Sequence, residues 1–441
     1  MDISDETTNT DRSKSIKRHV ILGYIYKAFS VGANFMLFPL TINYLDKTQY
    51  GIWVTLLSIM TWINFFDVGL GLGMRNKVAE ALSFNDSKSA QSYISTGYIV
   101  IFCIACLLML GITVFMPFIN FNKLFNTDYI KNNELCSLVI LSASFVVGNF
   151  VLSLINQIFY AHQKASLAGL LQLVSNCLSL IFVYLLITFT KPSLIYFALS
   201  YGCATFISYL AFTIFFFYNN QEIIPQLRYF DISKIKDIGN LGISFFVLQI
   251  ACLILFASSN ILITQLLGPE HVQAYDVAFK IFSLITMAYT ILVTPLWSAY
   301  TDAYSKNDIA WIKGIIKKLN ILMIPICIVT FCVAKFSAQI TRLWLGIDIE
   351  FPEYLIELMG VYVVVFTWSN IYAYFLNGIS KVKLQTYCAV LGAILDIPLT
   401  IYFVKYLGMG STGIILGIIC VSLPTAIIIP IQVYYLLRVK G

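Results

Sequence analysis

Long apolar stretches without a single acidic or basic residue dominate the chain. Each one reaches the roughly 20 residues that a helix needs to cross the hydrocarbon core of a bilayer. The charge-free stretches are 89–122, 135–163, 165–190, 192–221, 238–269, 281–301, 358–380 and 406–437. Four further candidate spans contain a charged residue or are bordered closely by one. They are 20–43, 50–66, 319–338 and 384–404. The pattern predicts twelve membrane-spanning helices joined by short loops.

The composition agrees with a membrane protein. Of the 441 residues, 59% are hydrophobic and 11% are charged, whereas an average soluble domain is about 25% charged. So little charge cannot cover a soluble surface, which argues against a cytosolic enzyme, a nucleic-acid-binding module, a secreted disulfide scaffold and a disordered chain. The ten cysteines lie in or beside apolar runs, where packing is a better explanation than metal or redox chemistry.

Basic residues divide unevenly between the two sets of predicted loops. With the N-terminus in the cytoplasm, the cytoplasmic side holds 19 of the 28 Lys and Arg residues and the other side holds 7, while Lys27 and Lys280 fall inside spans. Cytoplasmic loops of membrane proteins carry an excess of Lys and Arg. The bias therefore predicts that both termini are cytoplasmic and that the number of spans is even.

The longest predicted cytoplasmic loop divides the spans into two sets of six. The predicted regions are a polar N-terminus at 1–19, a first lobe at 20–218, the loop at 219–238, a second lobe at 239–437 and a tail at 438–441. Because six is an even number, both lobes begin on the cytoplasmic side. The two lobes are therefore predicted to be parallel repeats.

Weak matches at similar separations support a duplication. Asn34 and Asn260 each begin an apolar stretch that ends in a short polar loop and a Tyr, and ALSFND at 81–86 parallels AYSKND at 303–308. Transporters built from parallel repeats carry the substrate path between the halves and rock one half against the other. The repeat thus favours a transporter.

Two lysines within predicted spans are candidate cations of a substrate path. Charge in a span costs roughly 2.5–3.5 kcal/mol on insertion scales. Lys27 either returns its ammonium to the headgroups along a long apolar stem or faces a lumen. Lys280 follows Asp276 by four residues, and an ion pair on one helix face is the alternative to a substrate role.

A glycine-rich segment, DVGLGLGMRNK at 67–77, follows the second predicted span. Its third glycine comes one residue too early for a G-x-G-x-x-G fingerprint and no strand precedes it. The segment instead predicts a helix end that needs freedom in φ and close backbone packing. Arg75 lies at the cytoplasmic mouth, where it either holds an anionic phosphate through two hydrogen bonds or serves as an ordinary anchor.

Other polar side chains in the spans are candidates for a polar lumen or a coupling cation. The acidic candidates are Asp67 and Asp396, and the amides are Asn34, Gln249 and Asn260. The alternative is that the amides join helices through hydrogen bonds. We predict no catalytic residue, no metal site and no cofactor.

Three segments carry a resemblance to a known family. PLTINYLDKTQYGIW at 39–53, FFDVGLGLGMRNKVAEAL at 65–82 and LLGPEHVQAYDVAFKIFSL at 266–284 resemble, respectively, the connection between helices 1 and 2, the glycine-rich turn after helix 2 and the loop into helix 8 of polysaccharide-unit exporters. The chain resembles the O-antigen flippase family, within the superfamily of multidrug, oligosaccharidyl-lipid and polysaccharide exporters. The resemblance extends over the whole chain in length and span count.

The resemblance implies an all-α integral membrane protein with two six-helix lobes, V-shaped around a central lumen, in the bacterial inner membrane. Family members flip an undecaprenyl-pyrophosphate-linked sugar unit from the cytoplasmic to the periplasmic leaflet, for O-antigen, capsule or exopolysaccharide synthesis. The implied partners are this lipid-linked oligosaccharide, membrane lipid, and polymerase and chain-length proteins of the same pathway, with no nucleic acid. A cationic lumen suits the pyrophosphate, and here Lys280, Arg75 and Lys27 would supply it.

Two alternatives remain open at this point. A cation-coupled multidrug antiporter of the same superfamily should carry buried acids that converge in one lobe. The acids in or beside the predicted spans are scattered instead, at Asp67, Asp276, Glu357 and Asp396. A membrane polymerase or ligase needs catalytic residues on a sizeable external loop, where His271 and Arg342 are the residues to test.

Overall fold

Helices account for nearly all of the regular structure. The computed structural model describes residues 3–67, 69–239, 250, 258–294, 296–379 and 381–439, and these ranges contain helices and turns without a strand. A segment in lipid must satisfy its backbone polar groups internally, which an α-helix does. The prediction of an all-α membrane protein is confirmed.

The helices before the middle of the chain alternate long apolar segments with short connections. They are α1 (Ile3–Tyr44), α2 (Lys47–Thr61), α3 (Leu70–Ser83), α4 (Ser87–Phe115), α5 (Phe121–Leu124), α6 (Asn132–Leu152), α7 (Leu154–Ala161), α8 (Ala165–Phe189), α9 (Leu194–Asn219) and α10 (Ser233–Gly239). Short 3₁₀ segments lie at Trp62–Asp67, Met116–Phe118, Gln221–Ile223 and Leu227–Tyr229.

The second part of the chain repeats this alternation. Its described helices are α11 (Ser259–Leu267), α12 (Val272–Val293), α13 (Leu296–Ser305), α14 (Ile309–Lys335), α15 (Ser337–Leu345), α16 (Leu355–Gly378), α17 (Lys383–Ile401) and α18 (Thr412–Val439). A 3₁₀ turn at Pro269–His271 precedes α12, and a π-helical turn at Tyr402–Tyr406 follows α17.

Ten of the described helices are long and apolar enough to cross a membrane. The number rises to eleven if Lys47–Asp67 and Leu70–Leu82, which meet at a 44° bend, form one broken span. The seventh predicted span, 239–265, lies largely outside the described residues. The described spans therefore account for most of the predicted twelve.

Contacts between Cα atoms group the chain into two units. The first unit comprises Met1–Asp46 and Ile59–Gly242, and the second comprises Lys47–Ser58 and Ile243–Gly441. Chain order places 47–58 in the first predicted lobe, whereas most of α2 packs with the second unit. The predicted lobe boundaries otherwise remain a prediction.

In the first unit, α1 and α8 make the most extensive helix contact. Glycine permits their close approach, because a Cβ built on Gly169 would lie 3.0 Å from the carbonyl oxygen of Gly23. Further along, the Asn176 amide donates to the carbonyl and hydroxyl oxygens of Ser30, both at 2.9 Å. The Asn176 amide thus joins these two helices through hydrogen bonds, as polar side chains within membrane spans commonly do.

The predicted loop 219–238 is an ordered part of the first unit. Four polar side chains on the first turns of α4 each bind one backbone group of this loop, at 2.8–3.1 Å. The pairs are Gln91 with Ile224, Ser92 with Tyr229, Ser95 with Gln226 and Thr96 with Asp231. These four polar residues lie in a stretch that the hydropathy pattern predicts to be a membrane span. The pattern therefore gave no sign that they bind the loop 219–238.

In the second unit, α2 is held by small and polar residues. The Thr55 and Thr264 hydroxyls are 2.5 Å apart, and both residues are buried. Gly51 lies so close to the turn before α12 that a Cβ there would overlap the carbonyl oxygen of Pro269. The segment 47–58 is therefore fitted tightly into this unit.

We expect Gly51→Ala to destabilise the protein by about 1–3 kcal/mol, the usual cost of overpacking. The physical reason is the overlap with Pro269, which only a backbone shift could relieve. Thermal unfolding in detergent would measure the change. Gly111→Ala is the matched control, because it is also helical and has nothing within 4 Å of the new Cβ. Equal unfolding temperatures for the two variants would contradict the tight fit.

Candidate functional site

A buried charge cluster in the second unit consists of Tyr50, Asp276 and Lys280; we call it the Tyr50 cluster. Lys280 Nζ lies 2.7 Å from Asp276 Oδ2, and the Tyr50 hydroxyl donates to the same oxygen. Lys280 also donates to the Tyr50 hydroxyl oxygen at 3.2 Å. Tyr50 is 1% exposed and Asp276 is 7% exposed, so both lie in the core of the unit. The carboxylate of Asp276 therefore neutralises the positive charge of Lys280.

The sequence left Lys280 open between a substrate role and an ion pair with Asp276 on the same face of α12, and the structure contains the ion pair. Tyr50 is the part that sequence reasoning missed, because it comes from α2, 226 residues earlier. An aromatic residue at a span end is usual at a membrane interface. No signal in the sequence distinguishes Tyr50 from such a belt residue.

A second polar cluster lies in the first unit, where α7 packs on α3; we call it the Arg75 cluster. The guanidinium carbon of Arg75 lies 4.8 Å from the ring centroid of Tyr160. Among the described residues, Arg75 forms no ion pair with a carboxylate. A guanidinium stacked on a ring keeps its in-plane N–H donors for other partners. The charge of Arg75 is therefore not neutralised by a carboxylate of the described residues.

Gly71 brings two further polar side chains towards this cluster. A Cβ on Gly71 would lie 2.9 Å from Asp67 Oδ2 and 3.3 Å from Gln157 Cγ. Asp67 accepts a 2.7 Å hydrogen bond from the Gly71 amide, while the buried Gln157 Oε1 has no partner among the described residues. The absence of a side chain at Gly71 thus leaves room for an acid and an amide side by side.

The glycine-rich segment behaves as the sequence predicts. Gly69 precedes α3 with a φ of 81°, a left-handed conformation that favours glycine. Gly73 is in close contact with α10, since a Cβ there would overlap the carbonyl oxygen of Ile238. The predicted freedom in φ and the predicted close backbone packing are both present, at different glycines.

Asp396 lies apart from both clusters, within α17. The residue is 1% exposed, and its Oδ1 has no hydrogen-bond partner among the described residues. Thr400 follows one turn later with 0% exposure, and its hydroxyl also lacks a partner there. Unlike Asp276, Asp396 forms no ion pair with a lysine among the described residues.

The remaining candidates do not gather into one site. Lys27 and Asn34 are exposed on α1. Asn260 donates to the Ser58 hydroxyl at 3.2 Å and so joins two helices, while Gln249 lies outside the described residues. Within the part of the chain that the structure describes, no group of three or more His, Cys, Asp and Glu residues could hold a metal ion.

Comparison with known sequences places these features in a family context. The family model described as polysaccharide biosynthesis protein matches residues 16–301, and the MatE model matches residues 245–402. A Yersinia pseudotuberculosis protein that bears the name O-antigen export protein is 23% identical over 407 residues, covering 90% of each chain. A Salmonella typhi protein named as an O-antigen transporter is 23% identical over 446 residues, covering 96% of this chain and 98% of its own length.

Solved structures with a similar fold come from transporters. The inward-facing structure of a multidrug resistance MATE family transporter of the MOP superfamily aligns with a TM-score of 0.76 and 15% identity, covering 95% of this chain and 98% of that one. The outward-facing structure of a MATE family transporter aligns with a TM-score of 0.64 and 14% identity, covering 97% of each chain. At such low identity the likeness shows the fold alone.

We expect Lys280→Met to destabilise the protein by about 3 kcal/mol, because it removes the cation beside a buried carboxylate. The double variant Asp276→Leu with Lys280→Met should recover most of this loss, since it removes both charges. Thermal unfolding in detergent measures each change.

The control for this pair is Lys77→Met, which breaks the exposed Lys77–Glu80 pair at 2.8 Å. Exposed pairs contribute about 0–1 kcal/mol. If Lys280→Met destabilised the protein no more than Lys77→Met, the Tyr50 cluster would not be a stabilising core element.

A pH-dependent contribution is expected from His162, in the turn between α7 and α8. Burial lowers the pKa of His162 from 6.5 to about 4, and the charge of Lys164 acts in the same direction. The unfolded chain therefore takes up this proton first, so stability falls as the pH drops from about 6.5 to about 4. His162→Phe keeps a ring against Phe216, whose centroid is 5.3 Å away.

Unfolding temperatures at pH 7 and pH 4.5 should therefore differ less for His162→Phe than for the unmodified chain. His271→Phe, the same change at an exposed histidine, is measured alongside as the control. An identical pH dependence for His162→Phe and the unmodified chain would contradict this role of His162.

Proposed function

The chain belongs to the family of polysaccharide biosynthesis proteins, and from that premise we propose that it exports a lipid-linked oligosaccharide unit across the bacterial inner membrane. The unit is carried from the cytoplasmic to the periplasmic leaflet, for O-antigen, capsule or exopolysaccharide synthesis. The relatives that bear O-antigen export and transport names support this substrate class. Nothing covalent happens to the cargo, so the protein acts as a transporter and not as an enzyme.

The observation that carries the proposal is Arg75 stacked on Tyr160 without a neutralising carboxylate in the described chain. The pyrophosphate of the cargo is the most strongly charged part and the costliest to move through lipid. A planar guanidinium binds phosphate oxygens through two parallel hydrogen bonds. The contact with the Tyr160 ring holds the guanidinium carbon 4.8 Å from the ring centroid.

The three candidate cations have different roles in this proposal. Arg75 binds the headgroup at the cytoplasmic mouth, which is the side that the positive-inside count predicts for it. Lys27 is exposed on α1 and offers a second cation. Lys280 is already bound by Asp276 and Tyr50, so we assign it to stabilising the second unit.

Transport then proceeds by alternating access between two lobes. The polar headgroup and sugars cross along a path lined by polar side chains, while the lipid tail stays in the bilayer. Both termini face the cytoplasm. The expected partners are the lipid-linked cargo, membrane lipid, and the polymerase and chain-length proteins that receive the exported unit.

A multidrug antiporter is the second candidate, favoured by the MatE match at 245–402 and by the fold of the solved transporters. The two functions predict different cargo. Export of cationic drugs by the purified chain, with no effect of deletion on surface glycan, would support the antiporter.

We expect Arg75→Gln to lower flipping by about tenfold to a hundredfold, since a hydrogen bond to a charged group contributes about 1.5–3 kcal/mol. Arg75→Lys should restore only part of the rate, because an ammonium keeps the charge but loses the paired donors. The measurement is the share of lipid-linked units that remain in the cytoplasmic leaflet of a deletion strain complemented with each variant.

Arg342→Gln is the matched control, because Arg342 is an exposed arginine on α15 whose Nε lies 3.9 Å from Asp348. It should flip at the unmodified rate. Full activity of Arg75→Gln would remove Arg75 from the headgroup site. Normal surface glycan in a deletion strain that has no second exporter would contradict the export function itself.

A further inference from the structure

An apolar cleft lies between two membrane-spanning helices of the second unit, α14 and α16. It holds about 550 Å³, a volume within the range of about 300–1,000 Å³ that small-molecule sites have. Most of the side chains that line it are apolar, and two of them, Phe331 and Val361, are 68% and 46% exposed. Exposed apolar side chains of a membrane span contact lipid tails. The cleft is therefore accessible to a molecule that enters sideways from the bilayer.

Two opposite charges lie at one end of the cleft. Lys335 is in the last turn of α14, and Glu357 is in the first turn of α16. Both side chains line the cleft, both are exposed, and neither forms an ion pair with a described residue. Each charge has the sign that its helix end favours. Each also remains accessible to a lipid headgroup at the mouth of the cleft.

A hydroxyl group lies deeper in the same cleft. Thr330 lines the cleft and is 4% exposed, and its Oγ1 has no hydrogen-bond partner among the described residues. A threonine hydroxyl in a helix commonly donates to the carbonyl one turn earlier, as those of Thr290 and Thr386 do at 2.7 and 3.0 Å. With a rise of about 1.5 Å per residue, Thr330 lies about 7.5 Å from Lys335 along α14. The cleft thus combines a charged mouth, a hydrogen-bond donor below it and apolar walls.

We infer that this cleft binds one zwitterionic aminophospholipid of the phosphatidylethanolamine class. Lys335 binds the phosphate and Glu357 accepts hydrogen bonds from the ammonium, so that each charge of the headgroup meets one opposite charge of the protein. Thr330 donates to an ester carbonyl of the lipid. One acyl chain lies against the apolar walls, where it replaces bulk lipid.

The charges at the mouth argue against other lipids. Anionic lipids are recognised by clusters of basic residues, whereas Lys335 is the one basic side chain among the described residues that line this cleft. An anionic phospholipid would bring its phosphate beside Glu357 without an ammonium to compensate the carboxylate. A carrier lipid with a pyrophosphate would bring still more negative charge to the same carboxylate.

The position of the mouth indicates which leaflet supplies the lipid. The count of basic residues predicts that Lys335 lies on the side away from the cytoplasm, so the lipid comes from the outer leaflet. A ligand that binds only the folded chain stabilises it, and this lipid would hold α14 against α16. The inference does not rest on the proposed function, because the cleft lies within the second unit and binds no cargo.

Native mass spectrometry of the purified full-length chain tests the headgroup. The chain in detergent receives equal amounts of phosphatidylethanolamine and phosphatidylglycerol with identical acyl chains, so that the two lipids differ in the headgroup alone. We expect phosphatidylethanolamine to be retained about tenfold more strongly, which is the usual effect of a hydrogen bond between charged groups.

Variants locate the preference. Glu357→Gln should bring the two lipids to similar retention, because it removes the partner of the ammonium. Lys335→Gln should lower the retention of both lipids, because both carry a phosphate. Glu350→Gln and Lys318→Gln are the matched controls, since both residues are exposed and neither lines the cleft. Each control should keep the preference of the unmodified chain.

A diether lipid tests the role of Thr330, because it carries the same headgroup but has no ester carbonyl. Thr330→Val should weaken the retention of diester phosphatidylethanolamine by about threefold, the effect of one neutral hydrogen bond. It should leave the retention of the diether lipid unchanged. Thr386→Val is the matched control, since the Thr386 hydroxyl already donates to the Val382 carbonyl, and it should affect neither lipid.

Equal retention of the two headgroups by the unmodified chain, stronger retention of phosphatidylglycerol, or a preference that survives Glu357→Gln would each overturn the inference. Displacement of bound phosphatidylethanolamine by an equal amount of undecaprenyl phosphate would also overturn it, because the cleft would then hold the carrier lipid. A chain that retains phosphatidylethanolamine as expected but flips no lipid-linked unit contradicts the proposed function and leaves the lipid site intact.

Discussion

A charge buried within a membrane-spanning helix is costly unless another group compensates it, and this constraint shapes the polar interior of the protein. Lys280 meets it through Asp276 and the Tyr50 hydroxyl. Asp396, in contrast, has no lysine, arginine or histidine partner among the described residues, and its Oδ1 accepts no hydrogen bond there. The cost of burying an uncompensated charge is large compared with a single hydrogen bond, which explains why each buried acid has a defined environment.

The same constraint explains why α2 belongs to the second unit. Tyr50 caps the Asp276 carboxylate, Gly51 permits close approach to Pro269, and Thr55 pairs with Thr264. These contacts satisfy polar groups that lipid could not satisfy. Residues 47–58 therefore belong to the second unit although the residues on either side of them belong to the first. The loop at 219–238 belongs to the first unit, as the residues before it do, and packs on α4.

In the first unit, Arg75 has a different environment from that of Lys280. Arg75 lies over the ring of Tyr160 and forms no ion pair with a carboxylate of the described residues, and the proposed function assigns its donors to an anion. In the proposed function this anion is the pyrophosphate of the lipid-linked cargo. Arg75 and Lys280 each add one positive charge to the sequence. The proposed function nevertheless assigns Arg75 to the headgroup and Lys280 to the stability of the second unit.

The sequence by itself determined the fold class, because charge-free stretches of membrane-spanning length can only be helices in lipid. It also predicted the role of the glycine-rich segment and offered the Asp276–Lys280 pair as one of two alternatives, because the backbone freedom of glycine and a spacing of one helical turn are local properties. Tertiary structure alone decided that Tyr50 completes the ion pair, that Arg75 rests on Tyr160, and which side chains of α14 and α16 line their common cleft. Each of these depends on how one helix is rotated against another, and hydropathy periodicity does not fix that rotation when helices are apolar on every side.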